Sequence, residues 1–398
     1  MTAVVDKPVR YWLRSVTLER FKAAFKPDPV ELRDFNLLVG RNGSGKSTLL
    51  EALQWLDTTL RSDARAASDR YFGVRDLINL RCEAQWFRIG LSFGCGDDEA
   101  GRDADPICYQ VKVHAEDDGT PTIQEESLWT GERKRREDYI KYDKPTQRRV
   151  RSVLSESTEI PFEQPDRLAL SLGGTKLEVG LRAFWRDAVF LRLSPGRLAK
   201  GSPARRKSFD PLLDEEGQNL PALLFELTAE QRQDLIERVQ RVLPGMRDVK
   251  LDTATGRDTI VNYSLLERMP YKGRTGRSNF PIPSWMLSEG TRRITALFAL
   301  LVHDPPPSLL CIEEVENGLD PQTTLHVLNE LRSAVSHGTQ VLATTHSPWL
   351  LDHVELQDII VARRESGNTV YERLADLQEI KAYAADIPPG TRYVNEVK

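Results

Sequence analysis

The sequence predicts an α/β protein in which a mixed sheet flanked by helices is interrupted by an α+β insertion, and three observations carry that prediction. Apolar runs at residues 35–39, 309–312 and 340–344 have the length and the lack of charge of strands buried on both faces of a sheet. The first two lead, through a glycine-bearing or an acidic turn, into helical periodicity, which is the order of a βα unit. Between residues 94 and 283 this pattern gives way to basic loops, separate strands and one capped helix. The chain therefore divides into an N-terminal lobe at 1–93, an insertion at 94–283 and a C-terminal lobe at 284–398.

A chain of 398 residues, 40% hydrophobic, can bury a substantial core in two or three domain-sized units. Its 55 basic and 59 acidic residues leave a net charge of −4, which excludes a global nucleic-acid footprint and leaves only local patches. Cys82, Cys95, Cys108 and Cys311 form no C-x-x-C pair and no metal-ligand spacing, so neither a disulfide framework nor a zinc site is expected, as suits a reducing cytoplasm. Residues 1–9 hold Asp6 and Pro8 where a signal peptide is apolar, and no stretch approaches 18 uninterrupted apolar residues. A cytoplasmic protein with no membrane partner is the expectation.

Element by element, residues 9–25 read as a strand pair with Trp12, Val16 and Leu18 in a strand-like setting, closed by the turn Lys26-Pro27-Asp28-Pro29. The strand at 35–39 runs into Gly40, and residues 48–60 continue as a helix with Leu49, Leu50, Leu53, Leu56 and Leu60 at helical spacing. Residues 87–93 alternate as a strand, 94–105 form a glycine and aspartate loop, and 110–114 are another strand. Thr228 caps a helix whose Leu235, Ile236, Val239, Val242 and Leu243 share one face, with Gln231 placed for a capping box and Pro244-Gly245 as the stop. Strands follow at 249–252 and 259–266. After Pro283 come a helix at 291–302, the strand at 309–312, a helix at 321–335 and the strand at 340–344. Two last strands, 358–363 and 369–374, meet across Gly367-Asn368. Heptads are not sustained and no repeat appears, so a long coiled-coil arm is absent.

Gly40-Arg41-Asn42-Gly43-Ser44-Gly45-Lys46-Ser47 matches G-x-x-x-x-G-K-[ST] between a strand and a helix, the context this pattern requires. At average composition such a match arises by chance in roughly one chain of this length in a hundred. Glycines let the backbone curl so that N–H groups from Asn42, Gly43, Ser44, Gly45 and on into Thr48 face phosphates, while the following helix adds its dipole. Lys46 then reaches the β- and γ-phosphates and Ser47 can ligate Mg²⁺. ATP and Mg²⁺ are the expected cofactors of a P-loop NTPase.

Leu309-Leu310-Cys311-Ile312-Glu313-Glu314 is an apolar strand ending in two carboxylates, which suits a metal-holding acid at Glu313 and a water-activating base at Glu314. Leu287-Ser288-Glu289-Gly290-Thr291-Arg292-Arg293 precedes an apolar helix. Ser288 reads as its N-cap, and the same hydroxyl with glycine N–H groups at a helix start makes a phosphate-binding end; both can hold at once. His346, at the end of the 340–344 strand, is either an ordinary loop residue or a contact to the γ-phosphate.

Taken in order, Gly40 to Ser47, Leu287 to Gly290, Leu309 to Glu314, Asn317-Gly318-Leu319-Asp320 and His346 resemble the Walker A, signature, Walker B, D-loop and H-loop of ABC ATPases. Leu18-Glu19-Arg20-Phe21-Lys22 looks like the RecF and SMC type. Glu313 to Pro321, Thr345-His346-Ser347-Pro348, and Asp214-Glu215-Glu216-Gly217-Gln218-Asn219-Leu220 are similar to the ATPases grouped with OLD proteins. The resemblance covers most of the chain, with residues 94–205 contributing little. It implies an ABC-type ATPase head of the RecF, SMC and OLD class, in which Ser288, Gly290 and Asp320 complete the site of a second copy in trans. It also implies Arg20 beside the nucleotide, and Gln85 as the Q-loop ligand of the metal, although Gln85 equally reads as a polar loop residue. Val315 and Asp320 stand where the OLD group more often has Pro and His, and Glu313 replaces the Asp usual in other ABC enzymes. Too few residues follow His346 for the Toprim nuclease domain of OLD proteins, so a nuclease is expected in trans.

The expected function is Mg-dependent ATP hydrolysis by heads that form a homodimer or higher oligomer over ATP and gate a separately encoded effector or nuclease, in antiphage defence or DNA maintenance. A low-turnover scaffold or sensor that holds such an effector is the alternative, and a transporter subunit is disfavoured by the SMC-like strand and the large insertion. The basic runs Arg133-Lys134-Arg135-Arg136, Arg148-Arg149-Val150-Arg151, Arg205-Arg206-Lys207 and residues 272–277 are either a solvated face or a DNA or RNA contact.

Overall fold

The computed structural model describes residues 9–96, 105–131, 136–143, 148–153, 156–159, 164–172, 174–206, 210–254, 259–268, 278–381 and 387–396. Two compact units divide the chain, Met1–Arg186 with Val354–Lys398, and Asp187–His353. The 94–283 segment is shared between them.

The first unit carries an eight-stranded antiparallel sheet in the spatial order Val30–Glu31, Tyr11–Glu19, Trp86–Cys95, Ile107–Ala115, Pro121–Thr130, Glu137–Asp143, Arg148–Val153 and Glu156–Glu159. Period-two alternation buries Phe87, Ile89, Leu91 and Phe93 beside Val113, Val111, Tyr109 and Ile107. Trp55 of the Lys46–Arg61 helix meets Phe87 edge-on at 5.1 Å, and Phe184 of the Lys176–Arg186 helix meets Phe93 at 5.4 Å, so two helices cover that face. The strand pair expected within residues 9–25 is instead the single strand Tyr11–Glu19, whose long partner is the distant Trp86–Cys95. After it the chain turns sharply with positive φ at Arg20 and Lys22, leaving isolated bridges from Phe21 to Ala24 and to Ile78.

Also in this unit, Phe35–Val39 pairs in parallel with Ile359–Glu365, which returns antiparallel as Asn368–Arg373. Positive φ at both Ser366 (47°) and Gly367 (86°) suits a type I′ turn.

In the second unit Leu309–Ile312 lies between Val189–Leu191 and Gln340–Thr345, all parallel and all buried. A smaller antiparallel sheet has Ile260–Arg268 between Met246–Ala254 and Ser202–Pro203, with Asn279–Pro283 paired along it as well. The expected capping box forms at the Ala229–Val242 helix, where Thr228 and Gln231 each bond the other's backbone. Arg238 and Arg241 of that helix hold Glu330 of the Pro321–Ser336 helix at 2.6 and 2.8 Å.

Of the basic runs, residues 133–135, Lys207 and 272–277 lie outside the described residues. Arg136 stacks over Trp129 at 4.3 Å and pairs with Asp138 at 2.6 Å. Among the described residues no helix is long and apolar enough to cross a membrane.

Candidate ATP site

The phosphate loop begins where the fully buried Phe35–Val39 strand ends. Gly40 has no room for a side chain, since a Cβ there would lie 2.3 Å from Ala362 O. Gly43 and Gly45 take φ of 75° and 103°, the left-handed region that a curled phosphate loop needs and that glycine enters without cost. A hairpin clamps the loop from behind: Thr369 Oγ1 donates to Ser44 O at 2.9 Å and Tyr371 OH to Gly45 O at 2.7 Å. Burial, with the nearby Glu51, pushes the Tyr371 hydroxyl well above its ordinary pKa, so it remains a donor at any physiological pH.

Lys46 starts the helix and is buried; its Nζ donates to Gly40 O at 2.7 Å and Arg41 O at 3.2 Å. No side chain caps this helix and its first turn holds no acid, so its N-terminal dipole meets no competing carboxylate. Ser44 Oγ is buried without a hydrogen-bond partner among the described residues. A glycine cradle, an uncapped helix start and a buried cation fit a triphosphate, and the exposed Ser47 hydroxyl beside them fits a divalent cation.

In the second unit Glu313 and Glu314 follow the buried Leu309–Ile312 strand. Glu314 takes φ 49°, a strained value for a residue with a side chain. Hydrogen bonds hold it there: Glu313 N to Leu191 O at 2.8 Å, Glu314 N to Thr344 Oγ1 at 2.8 Å, and Val315 N to Thr344 O at 3.0 Å. The turn aims a half-exposed carboxylate outward, with His346 Nε2 3.7 Å from Glu314 Oε1. Glu316 Oε1 accepts the His346 backbone N–H at 2.7 Å, which ties the two strand ends together. Glu313 faces the exposed Arg192 at 3.5 Å.

Ser288 is the N-cap of the Glu289–Leu301 helix, accepting from Thr291 N at 3.1 Å. It is exposed, so the cap leaves its outer side open. Gly290 abuts the D-loop: a Cβ on it would lie 2.7 Å from Gly318 O, and a Cβ on Gly318, at φ 70°, would meet Glu289 at 3.0 Å. Asp320 caps the Pro321–Ser336 helix, and hydrogen bonds from the Thr323 side chain and then its backbone hold its carboxyl below the usual carboxylate range.

Of the other candidates, Thr48 is buried at the helix start and Asn42 is exposed on the loop. Arg20 stacks its guanidinium on Trp86 at 3.9 Å, while its neighbour Lys22 reaches the phosphate-loop helix through Glu51 at 2.5 Å. Gln85 is exposed and donates to Glu83 O at 3.3 Å. The Asp214–Leu220 motif is a self-bonded turn, with Asp214 and Asn219 each accepting the other's backbone N–H at 3.0 and 2.8 Å. Reading by motif missed Thr369, Tyr371, Thr344, Glu316 and Arg293, because their partners are distant in sequence.

With a phosphate loop on one βα unit and an acid pair on another, the chain has the fold of an SMC-type ATPase head. The family model described as "AAA domain, putative AbiEii toxin, Type IV TA system" matches residues 35–352, and the chain belongs to that family. In fold it is similar to the SMC head bound to the C-winged helix domain of ScpA, with a TM-score of 0.56 at 15% identity over 91% of this chain and 97% of that one. It is also similar to the Smc head domain with an extended coiled coil bound to the C-terminal domain of ScpA derived from Pyrococcus furiosus, with a TM-score of 0.55 at 14% identity over 91% and 96%. A segment of 146 residues, 37% of this chain, is 28% identical to ABC transporter G family member 31 of Arabidopsis thaliana. The chain spans only 8% of that relative.

Proposed function

We propose that this chain binds ATP with Mg²⁺ and hydrolyses it between two heads, and that head closure gates a separately encoded effector or nuclease acting on DNA or RNA. The observation that carries the reading is the posture of Glu314, strained backward at the end of a buried strand so that its half-exposed carboxylate stands beside His346, with Asn317 Nδ2 donating to its other oxygen at 3.4 Å. A base in that posture accepts a proton from water as the water oxygen bonds to the γ-phosphorus and the bond to the ADP oxygen breaks. Lys46 and the N–H groups from Asn42 to Thr48 hold the phosphates, with Arg20 nearby on the nucleotide. Ser47, Glu313 and Gln85 are the residues that would hold Mg²⁺, which would supply charge neutralisation on the phosphate oxygens. His346 orients the γ-phosphate, and Ser288, Gly290 and Asp320 of a second copy close over it. Trp285 and Met286, 62% and 70% exposed just before Ser288, support a docking surface there.

The ScpA-bound heads support a protein partner for this head, and the toxin and TA system in the family's description support a defence role over DNA maintenance. The proposed compartment is the cytoplasm. The Arg192–Glu313 pair favours one second reading, a slow or nucleotide-locked scaffold, because a cation beside the metal-holding acid competes with Mg²⁺. Turnover per head, with and without DNA, separates the two. Lys46→Ala removes the cation facing the γ-phosphate and weakens ATP binding by on the order of 10²-fold, the scale of a lost buried charge pair. Titration with a fluorescent ATP analogue checks this, and wild-type affinity in the variant rejects the phosphate-loop assignment.

A further inference from the structure

We propose that Arg293 is a positioning residue through which the Ser288 loop sets the geometry of Glu314. The inference rests on the reading of Glu314 as base and of Ser288 as the contact to a second copy's nucleotide.

Arg292 and Arg293, adjacent on the helix that Ser288 caps, serve different loops. Arg292 Nη1 donates to Ser284 O at 3.1 Å and Leu287 O at 2.8 Å, fastening the segment that leads into Ser288. Arg293 turns the other way, is 3% exposed, and spreads its fork across two strand ends: Nη1 donates to Leu193 O at 3.2 Å and Nη2 to Glu314 O at 3.3 Å. Leu193 follows the strand that also anchors Glu313 N through Leu191 O. One guanidinium thus holds the carbonyl of the strained base residue against the neighbouring strand.

A purely structural role does not account for a charge at this position. Among the described residues Arg293 makes no ion pair, its Nε has no hydrogen-bond partner, and Glu289, Glu314 and Glu316 act on it only from a distance. Burial depresses its pKa, the mark of a cation kept where desolvation opposes it. An apolar side chain would avoid that desolvation but give up the hydrogen bonds to Leu193 O and Glu314 O. What the guanidinium adds is a rigid fork from the signature helix, one prong on the carbonyl of Leu193 and the other on that of Glu314. The same helix start presses on the D-loop at Gly290 and Gly318. Any shift of the Ser288 end therefore reaches the catalytic turn through one steric contact and one hydrogen-bonded fork.

The test compares Arg293→Met, Arg293→Lys and Arg292→Met with the wild type in the full chain, measuring ATP affinity, ATP-dependent mass by light scattering, and kcat and KM. Arg293→Met is expected to keep ATP affinity, association and KM within about twofold while kcat falls about 10²-fold, the cost of a misplaced catalytic group. Arg293→Lys, which retains the charge and a single donor nitrogen in place of the fork, should recover part of that loss. Arg292→Met should weaken association and leave kcat at saturating protein near wild type. If wild type associates and turns over but Arg293→Met matches it in kcat, the coupling is overturned and the head-closure reading stands. Loss of ATP binding, association and kcat in equal measure in both Arg293 variants also overturns it, in favour of a folding role. A wild type without ATP-dependent association overturns the head-closure reading and the coupling with it.

Discussion

Asp57, on the helix that follows the phosphate loop, accepts from Arg61 Nε through both carboxylate oxygens at 2.9 Å and is 6% exposed. Burial pushes its pKa from 3.8 up to about 6, against the pull of Arg61. A folded pKa raised above the unfolded one means that the native state holds the extra proton. The stability so gained is full below pH 3.8 and is lost as pH rises through about 6. Asp57→Asn cannot titrate, so its stability relative to wild type should rise between pH 4 and 6.5, by about 3 kcal/mol at most. Urea unfolding of both proteins across that range checks this, and a pH-independent difference contradicts it. At this scale the phosphate loop was legible because its chemistry is contiguous: Gly43, Gly45, Lys46 and Ser47 are consecutive or nearly so, and their spacing alone states their purpose. Thr369, Tyr371 and Arg293 were not, because each acts on a carbonyl brought to it only by tertiary folding.

Elements governed by local rules were equally legible. The Ala229–Val242 helix starts at Thr228 with its capping box, and Leu309–Ile312 has the bounds that its apolar run predicts. The Tyr11–Glu19 strand shows where locality ends, since its alternation was visible while its partner, Trp86–Cys95, was a long-range choice. The Lys176–Arg186 helix was overlooked because few of its residues, Leu181, Phe184 and Trp185 chief among them, are apolar and buried. The junction of signature helix and D-loop belongs to this scale too. Gly290→Ala places a Cβ 2.7 Å from Gly318 O, closer than real contacts permit, so the loops must separate. Overpacking of this kind costs about 1–3 kcal/mol. The variant should stay folded and bind ATP as wild type does, yet lose ATP-dependent association, as light scattering would register. Undiminished association would show that this packing does not shape the docking surface.

At the scale of the molecule, the division at Arg186 and Val354 gives the phosphate loop to one compact unit and the acid pair, signature and D-loop to the other. Neither set is chemically complete alone, and in the proposed function Ser288, Gly290 and Asp320 of a second copy close over the phosphates. Glu314→Gln removes the base while keeping its shape and hydrogen bonds, and general-base catalysis is worth ~10²- to 10⁴-fold in rate, enough for a closed state to outlast purification. Adding Ser288→Arg drives a bulky side chain into the helix start proposed to grip phosphate in trans. Mass by light scattering, with ATP and Mg²⁺, on wild type, Glu314→Gln and Glu314→Gln with Ser288→Arg, is therefore the most direct measurement. The account predicts a long-lived oligomer in the single variant, a transient one in wild type and none in the double variant; a mass indifferent to nucleotide in all three would contradict it.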